Sequence, residues 1–218
     1  MYYNLNIEMQ EGIPNIIFNN SPEIPVTIDG KHYKNVVFVH IPKTAGSSIM
    51  KYLRDTGQYW WINSYIRNHD PLFNLSKHNN LDRSFCFAVV RNPYTRAYSA
   101  YMQYSKANNL LGVLSFSQYL DQILFGKVSS QTPLLYKPQS FFTVDHSGEH
   151  TLDKIYKFEN LKEFEKDFNT VLPVVNKAPY DMESYIRDYS QENIEIIENL
   201  YSMDFDNFGY DRRFTIHD

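Results

Sequence analysis

Two short apolar runs, Val36 to Val39 and Phe85 to Val90, each end in a polar turn that opens into a helix-like pattern, and this repeated order constrains the fold more than any other feature of the chain. A continuous apolar run bounded by polar residues suits a strand covered on both faces, as in a parallel sheet. Successive strand, turn and helix units place their turns on one edge of that sheet, where open α/β folds bind ligands. After the first turn, Ile49, Tyr52, Leu53 and Thr56 fall on one helical face, and Gly57 is placed to stop the helix. After the second turn, Asn92 can cap and Pro93 can open a helix carrying the stripe Tyr94, Ala97, Tyr98, Tyr101 and Ser105.

The rest of the chain is compatible with one α/β domain over residues 26–218, preceded by an irregular arm, 1–25, that contains Pro14, Pro22 and Pro25. Asp29-Gly30 lies between Val26-Thr27-Ile28 and the strand from Val36, and suits a two-residue hairpin turn. Phe116, Tyr119, Leu120, Ile123 and Leu124 predict an amphipathic helix, and Gly126 to His150 a long polar loop. Lys154 to Phe158 reads as a short strand. Leu161 to Leu172 reads as a helix buried through Leu161, Phe164, Phe168 and Val171, and Ser190 caps a helix from Gln191 to Met203.

Composition narrows the function classes. The chain has 218 residues, 43% of them hydrophobic and 16% aromatic, enough for one good core. Its net charge of −4 supplies no global basic field, so a nucleic-acid partner is not expected and any anion must be bound locally. The lone Cys86 excludes an internal disulfide or a Cys-rich zinc site and is expected as a buried core thiol. The first 25 residues lack a basic and apolar leader pattern, and nowhere do about 18 apolar residues run together, so no membrane span and a cytoplasmic location are expected.

The chemistry concentrates in His40-Ile41-Pro42-Lys43-Thr44-Ala45-Gly46-Ser47-Ser48. N–H groups at a helix start, adjoining hydroxyls and one lysine converge there on a volume that can hold an anion. A nucleoside-triphosphate P-loop would place its lysine directly after the second glycine of Gly-x-x-x-x-Gly-Lys-Ser/Thr. Here Lys43 precedes Gly46, and no acidic pair is placed after a strand to hold magnesium. A metal-free transfer of an anionic group fits better.

With the second turn, Arg91-Asn92-Pro93 followed by Ser99, the chain resembles the carbohydrate sulfotransferase family that includes the heparan sulfate 2-O- and 6-O-sulfotransferases and many bacterial relatives. The resemblance rests on Phe38 to Ser48 and Phe87 to Tyr101. It extends to Pro138-Gln139-Ser140, Lys157-Phe158-Glu159-Asn160-Leu161 and Asp206-Asn207-Phe208-Gly209-Tyr210, in the family's order. Lys157 stands where relatives often carry arginine, and the segment between the two turns is compact. The resemblance implies a P-loop-like three-layer fold with a central, mainly parallel sheet flanked by helices. It implies 3′-phosphoadenosine-5′-phosphosulfate as donor and adenosine 3′,5′-bisphosphate as product. Lys43, Thr44, Ala45, Gly46, Ser47 and Ser48 would hold the 5′-phosphosulfate, and Arg91 and Ser99 the 3′-phosphate.

Those residue types suit the chemistry. A cation at the departing phosphate oxygen stabilises charge that grows in the transition state, which is the role expected of Lys43. The planar fork of Arg91 suits two parallel hydrogen bonds to a terminal phosphate. The acceptor hydroxyl must lose a proton, and His69 is the first choice of base, with His78 the competitor. His40 reads as a structural hydrogen-bonding residue, Glu159 as a carboxylate that orders the pocket, and the tyrosine stripe as helix core. Gln139 and Ser140 suit either ligand contact or loop packing, and Trp60 and Trp61 could line an acceptor cleft. The expected activity is direct in-line transfer of a sulfuryl group to a hydroxyl, of a carbohydrate or glycolipid. The rival readings are a small kinase using ATP and magnesium, and a nucleotide-binding module without catalysis. Oligomeric state is left open.

Overall fold

The computed structural model describes residues 25–56, 69, 71–78, 81–127, 134–175, 185 and 187–214, with the side chains of 77 and 78 excepted. The proposed arm, apart from its last residue, the tryptophan pair and Gly57 therefore lie outside the described residues, and so does the side chain of His78. Strands β1 (Val26–Ile28) and β2 (Lys31–Tyr33) form the antiparallel hairpin. Asp29 and Gly30 both take positive φ, 50° and 77°, as the tight turn requires. The second strand is thus Lys31–Tyr33, not the run from Val36, because a two-residue turn pairs the residues flanking it, Ile28 with Lys31.

The Val36 run lies in β3 (Asn35–Val39), which pairs in parallel with β4 (Ser84–Val90), and β4 in turn pairs in parallel with β5 (Lys154–Lys157). The central strand β4 is buried at every residue, as its unbroken apolar sequence predicts. Helix α1 (Gly46–Asp55) follows β3, and α3 (Pro93–Ala107) follows β4, with the short α2 (Leu72–His78) between them. One core layer combines Phe38, Phe85, Phe87 and Tyr156 of the sheet with Ile49 and Leu53 of α1 and with Phe164 and Phe168. The other uses Val39, Ala88 and Val90 against Leu72, Phe142 and Phe208. The sheet is therefore covered on both faces, in the three-layer arrangement expected. Cys86 is buried as expected, its thiol pushed up to about 12 by burial, with the Asp153 charge adding to the shift.

A tyrosine-rich cluster packs α3 against α4 (Phe116–Leu124) and against α7 (Gln191–Leu200) and α8 (Ser202–Phe208) near the C-terminus. Tyr94, Tyr98 and Tyr101 are all buried in it, so the stripe is helix core. Ser115 and Gln118 close a reciprocal capping box on α4, but Leu124 points outward, unlike Leu120. The expected loop after Gly126 includes a single helical turn, α5 (Ser140–Thr143).

Two helices end earlier than periodicity suggests. Helix α6 (Leu161–Asp167) stops because Asn169 adopts a left-handed conformation, φ 45°, and closes a Schellman motif through Asn169 N–H to Lys166 O and Thr170 N–H to Glu165 O. Phe168 stays buried while Val171 is 82% exposed. Ser190 does cap α7, accepting from Asn193 N–H. The helix breaks at Tyr201, whose buried ring donates its hydroxyl proton to Tyr136 O. No helix among the described residues is long and apolar enough to cross a membrane.

Candidate functional site

Both strand-end turns open on one cavity of about 920 Å³. The first turn is shaped by its own backbone. Lys43 and Ala45 both take positive φ, 71° and 68°, on either side of Thr44, and Ala45 is the N-cap residue just before α1. Alternating left-handed residues ahead of a helix turn successive N–H groups toward one point, which favours an anion. The Thr44 hydroxyl faces the other way: Thr44 is buried and donates to Ile41 O at 2.9 Å, and alone among Pro42 to Ser48 it does not line the cavity. Gly46 leaves room for the His40 ring, since a Cβ there would fall inside that ring and force it to shift. Ser47 and Ser48 both line the cavity, and the Ser48 hydroxyl accepts from Val175 N–H, which ties the loop after α6 to the start of α1.

Lys43 reaches across to α3, its Nζ donating to Gln103 Oε1 at 2.8 Å. Burial, and then the nearby Arg91 charge, hold its ammonium below the usual lysine range. Ser99 lies one turn before Gln103 and lines the same wall, as do Met102 and Lys106. Helix α3 is thus two-faced, tyrosines on the core side and Ser99, Gln103 and Lys106 on the cavity side. The steps of four and three residues from Ser99 through Gln103 to Lys106 are masked in the sequence by the stronger tyrosine stripe.

The second turn is held by side chains. Asn92 caps α3 through Tyr94 N–H, and Pro93 opens the helix. The Arg91 guanidinium donates from Nε to Thr95 Oγ1 at 3.0 Å and from Nη1 to Lys43 O at 3.4 Å, and lies over the Phe158 ring at 4.2 Å. Glu159 Oε1 accepts from Asn92 N–H at 2.7 Å and Oε2 from the Tyr210 hydroxyl at 2.9 Å. The carboxylate orders the turn, as expected of it. Gln139 and Ser140 are buried and spent on packing hydrogen bonds to Arg91 and Asp204.

A residue absent from the sequence reading ties the first turn to α3 and to the segment before α5. Arg96 is 2% exposed and donates from Nε to Pro42 O at 3.0 Å and from Nη2 to Lys137 O at 2.9 Å. The two carbonyls are distant in sequence, so nothing local marks this arginine.

His40 and His69 stand together at the cavity edge, ring centroids 4.2 Å apart. His69 Nδ1 lies 2.8 Å from His40 O. A carbonyl oxygen only accepts, so Nδ1 carries the proton and Nε2 is the basic nitrogen of the neutral ring. His40 contributes its carbonyl, and its ring stacks on Phe38. Helix α2 ends at His78.

The site therefore unites a backbone cradle with one lysine, a planar arginine fork and a histidine with a defined acceptor nitrogen. No curated protein and no solved structure matches the chain significantly. A family model, that of the sulfotransferase family, matches residues 25–211, a span that runs from the first hairpin past α8 and contains both turns. The chain belongs to the sulfotransferase family, whose chemistry is transfer of a sulfuryl group to a hydroxyl-bearing acceptor.

Proposed function

We propose that the protein transfers the sulfuryl group of 3′-phosphoadenosine-5′-phosphosulfate to a hydroxyl of a carbohydrate or glycolipid, releasing adenosine 3′,5′-bisphosphate. The observation that carries this reading is the meeting of two separate cation sites, Lys43 in the cradle and Arg91 on its fork, in one cavity, with Arg91 Nη1 3.4 Å from Lys43 O. A donor with anionic groups at two positions suits a pair of cations carried on separate turns.

When bound, the donor supplies the sulfuryl group, and its departure leaves negative charge on the adjoining phosphate oxygen. The main chain of Lys43 to Ser48 holds the 5′ end, and Lys43 moves its Nζ from Gln103 to that oxygen. Arg91 grips the 3′-phosphate, with Ser99 beside it on α3. Arg96 keeps Pro42 in place from below, and so keeps the cradle in register with α3. His69 takes the acceptor proton on Nε2, its ring held by the Nδ1–H bond to His40 O. The apolar rim from Leu172 to Val175 and the exposed Lys106 offer the acceptor both apolar and charged contacts.

The test is a thermal-shift comparison of adenosine 3′,5′-bisphosphate with ATP and magnesium, followed by an acceptor screen with radiolabelled donor. Stabilisation by the bisphosphate and label transfer to a saccharide support the reading. Stabilisation by ATP with magnesium and a phosphorylated product overturn it in favour of a kinase. Tight bisphosphate binding without turnover on any acceptor marks a nucleotide-binding module.

A further inference from the structure

Arg91 lies one residue past the last ladder pair of β4 and β5, Val90 with Lys157, so its N–H and C=O have left the sheet. Both are taken by one side chain. Arg91 N–H donates to Gln139 Oε1 at 2.8 Å, and Gln139 Nε2 donates to Arg91 O at 2.8 Å. A primary amide offers an acceptor and a donor on adjacent atoms, so Gln139 acts as a one-residue extension of the sheet. Its own position is fixed from α8: Gln139 N–H donates to Asp204 Oδ2 at 2.7 Å, while the N–H and hydroxyl of Ser140 both donate to Oδ1 at 2.8 Å. Gln139 and Asp204 are both 0% exposed. None of these bonds reaches the cradle of Lys43.

We propose that Gln139 is the positioning residue that makes the site select a 3′-phosphorylated nucleotide, by holding the Arg91 main chain beneath its guanidinium. This rests on the reading of Arg91 as the 3′-phosphate fork. A fork fixed through its backbone, through Thr95 and against Phe158 meets a phosphate already oriented, and so loses little freedom on binding. Removing the Gln139 amide takes away the side-chain partner of the Arg91 N–H and C=O, and so loosens the main chain beneath the fork. The 5′ end of the nucleotide is held by the Lys43 turn, which the fork touches through the single bond from Arg91 Nη1 to Lys43 O at 3.4 Å, so it keeps most of its contacts. The signature is therefore a loss of selectivity rather than of binding in general.

The experiment measures by calorimetry the dissociation constants of adenosine 3′,5′-bisphosphate and of AMP, which lacks the 3′-phosphate, for the full chain and for Gln139→Met and Gln139→Glu. Thermal unfolding checks that each variant is folded. The wild-type chain prefers the bisphosphate, and Gln139→Met reduces that preference about tenfold while AMP affinity stays within about twofold. Gln139→Glu keeps the acceptor for Arg91 N–H but loses the donor to Arg91 O, so it loses preference as well and carries the test if the methionine variant does not fold. A folded variant with the wild-type ratio overturns the proposal. So does an equal loss of both nucleotides, which would mark Gln139 as general scaffold. A wild-type chain that does not distinguish the two nucleotides overturns the reading of Arg91 itself.

Discussion

At the first turn, Pro42 to Gly46, the backbone is bent into an anion cradle by positive φ at Lys43 and Ala45, whereas at the second, Arg91 to Pro93, no residue takes positive φ and the shape comes from distant side chains. Gln139 lies 48 residues from Arg91, and Glu159 lies 67 residues from Asn92. Two turns that serve one cavity thus store their geometry differently, one chiefly in local conformation with Arg96 bracing Pro42 O, and one in tertiary hydrogen bonds. A locally bent turn keeps its shape when remote contacts change. A remotely braced one is adjustable from elsewhere in the fold, and is the place where selectivity can be tuned.

The sharpest way to test this division is to remove each turn's cation. Lys43→Ala is expected to lower turnover about 10³-fold with unchanged circular dichroism, since an electrostatic contact made chiefly in the transition state is lost. Near-normal turnover would detach the cradle from the chemistry. His69→Ala should lower kcat about 10²-fold with nucleotide affinity preserved; equal activity in steady-state assays would shift the base to His78. Arg91→Ala is expected to raise the bisphosphate dissociation constant about 10- to 100-fold, as loss of a charge-assisted pair does, with AMP binding little changed. Equal weakening of both nucleotides would mean that the two turns are not separable.

A smaller effect is written into Lys43. In the free site its ammonium titrates below the ordinary lysine value because it is buried and beside Arg91. An anion favours the charged form, so the group's pKa rises on binding. Affinity for the bisphosphate is therefore full below the lowered value of the free site and falls as pH rises through it, with proton uptake on binding in that window. Calorimetry in buffers of different ionisation enthalpy measures the uptake, and Lys43→Met should abolish it.

The same contrast explains what could be read in the sequence. The outline of the cradle was legible because its determinants are neighbours, an apolar strand, a lysine, a glycine and a helix start within about a dozen residues, but the inward turn of the Thr44 hydroxyl onto Ile41 O was not. The cap at Asn92 and Pro93 and the buried thiol of Cys86 were legible for the same reason. The stop at Asn169 was not, because apolar spacing continues through Val171 while the backbone turns away. Arg96 and Asp204 were invisible, since a buried charge is explained only by the remote groups it meets: two carbonyls for the arginine, two N–H groups and a hydroxyl for the aspartate. Glu159 was read as an ordering carboxylate from its place after a strand, but its partner Tyr210 belongs to the tertiary fold.

The mildest test compares the two turns by one substitution each. Ala45 sits at φ 68°, where a Cβ costs about 1–2 kcal/mol. Ala45→Gly relieves that strain but gives the unfolded chain more freedom, an opposing contribution of about 0.4–1 kcal/mol. The two nearly cancel, so the melting temperature should move by no more than about 2–4 °C and bisphosphate affinity should hold. Asn92→Ala at the other turn removes the cap on Tyr94 N–H and costs about 1 kcal/mol with nothing to offset it. It also leaves Glu159 bonded to the residue 92 main chain, so the Arg91 fork should keep its place and the loss should appear in stability alone. If Asn92→Ala instead erodes the preference for the bisphosphate over AMP, the second turn depends on its local cap as much as on its remote braces, and the contrast between the two turns is one of degree.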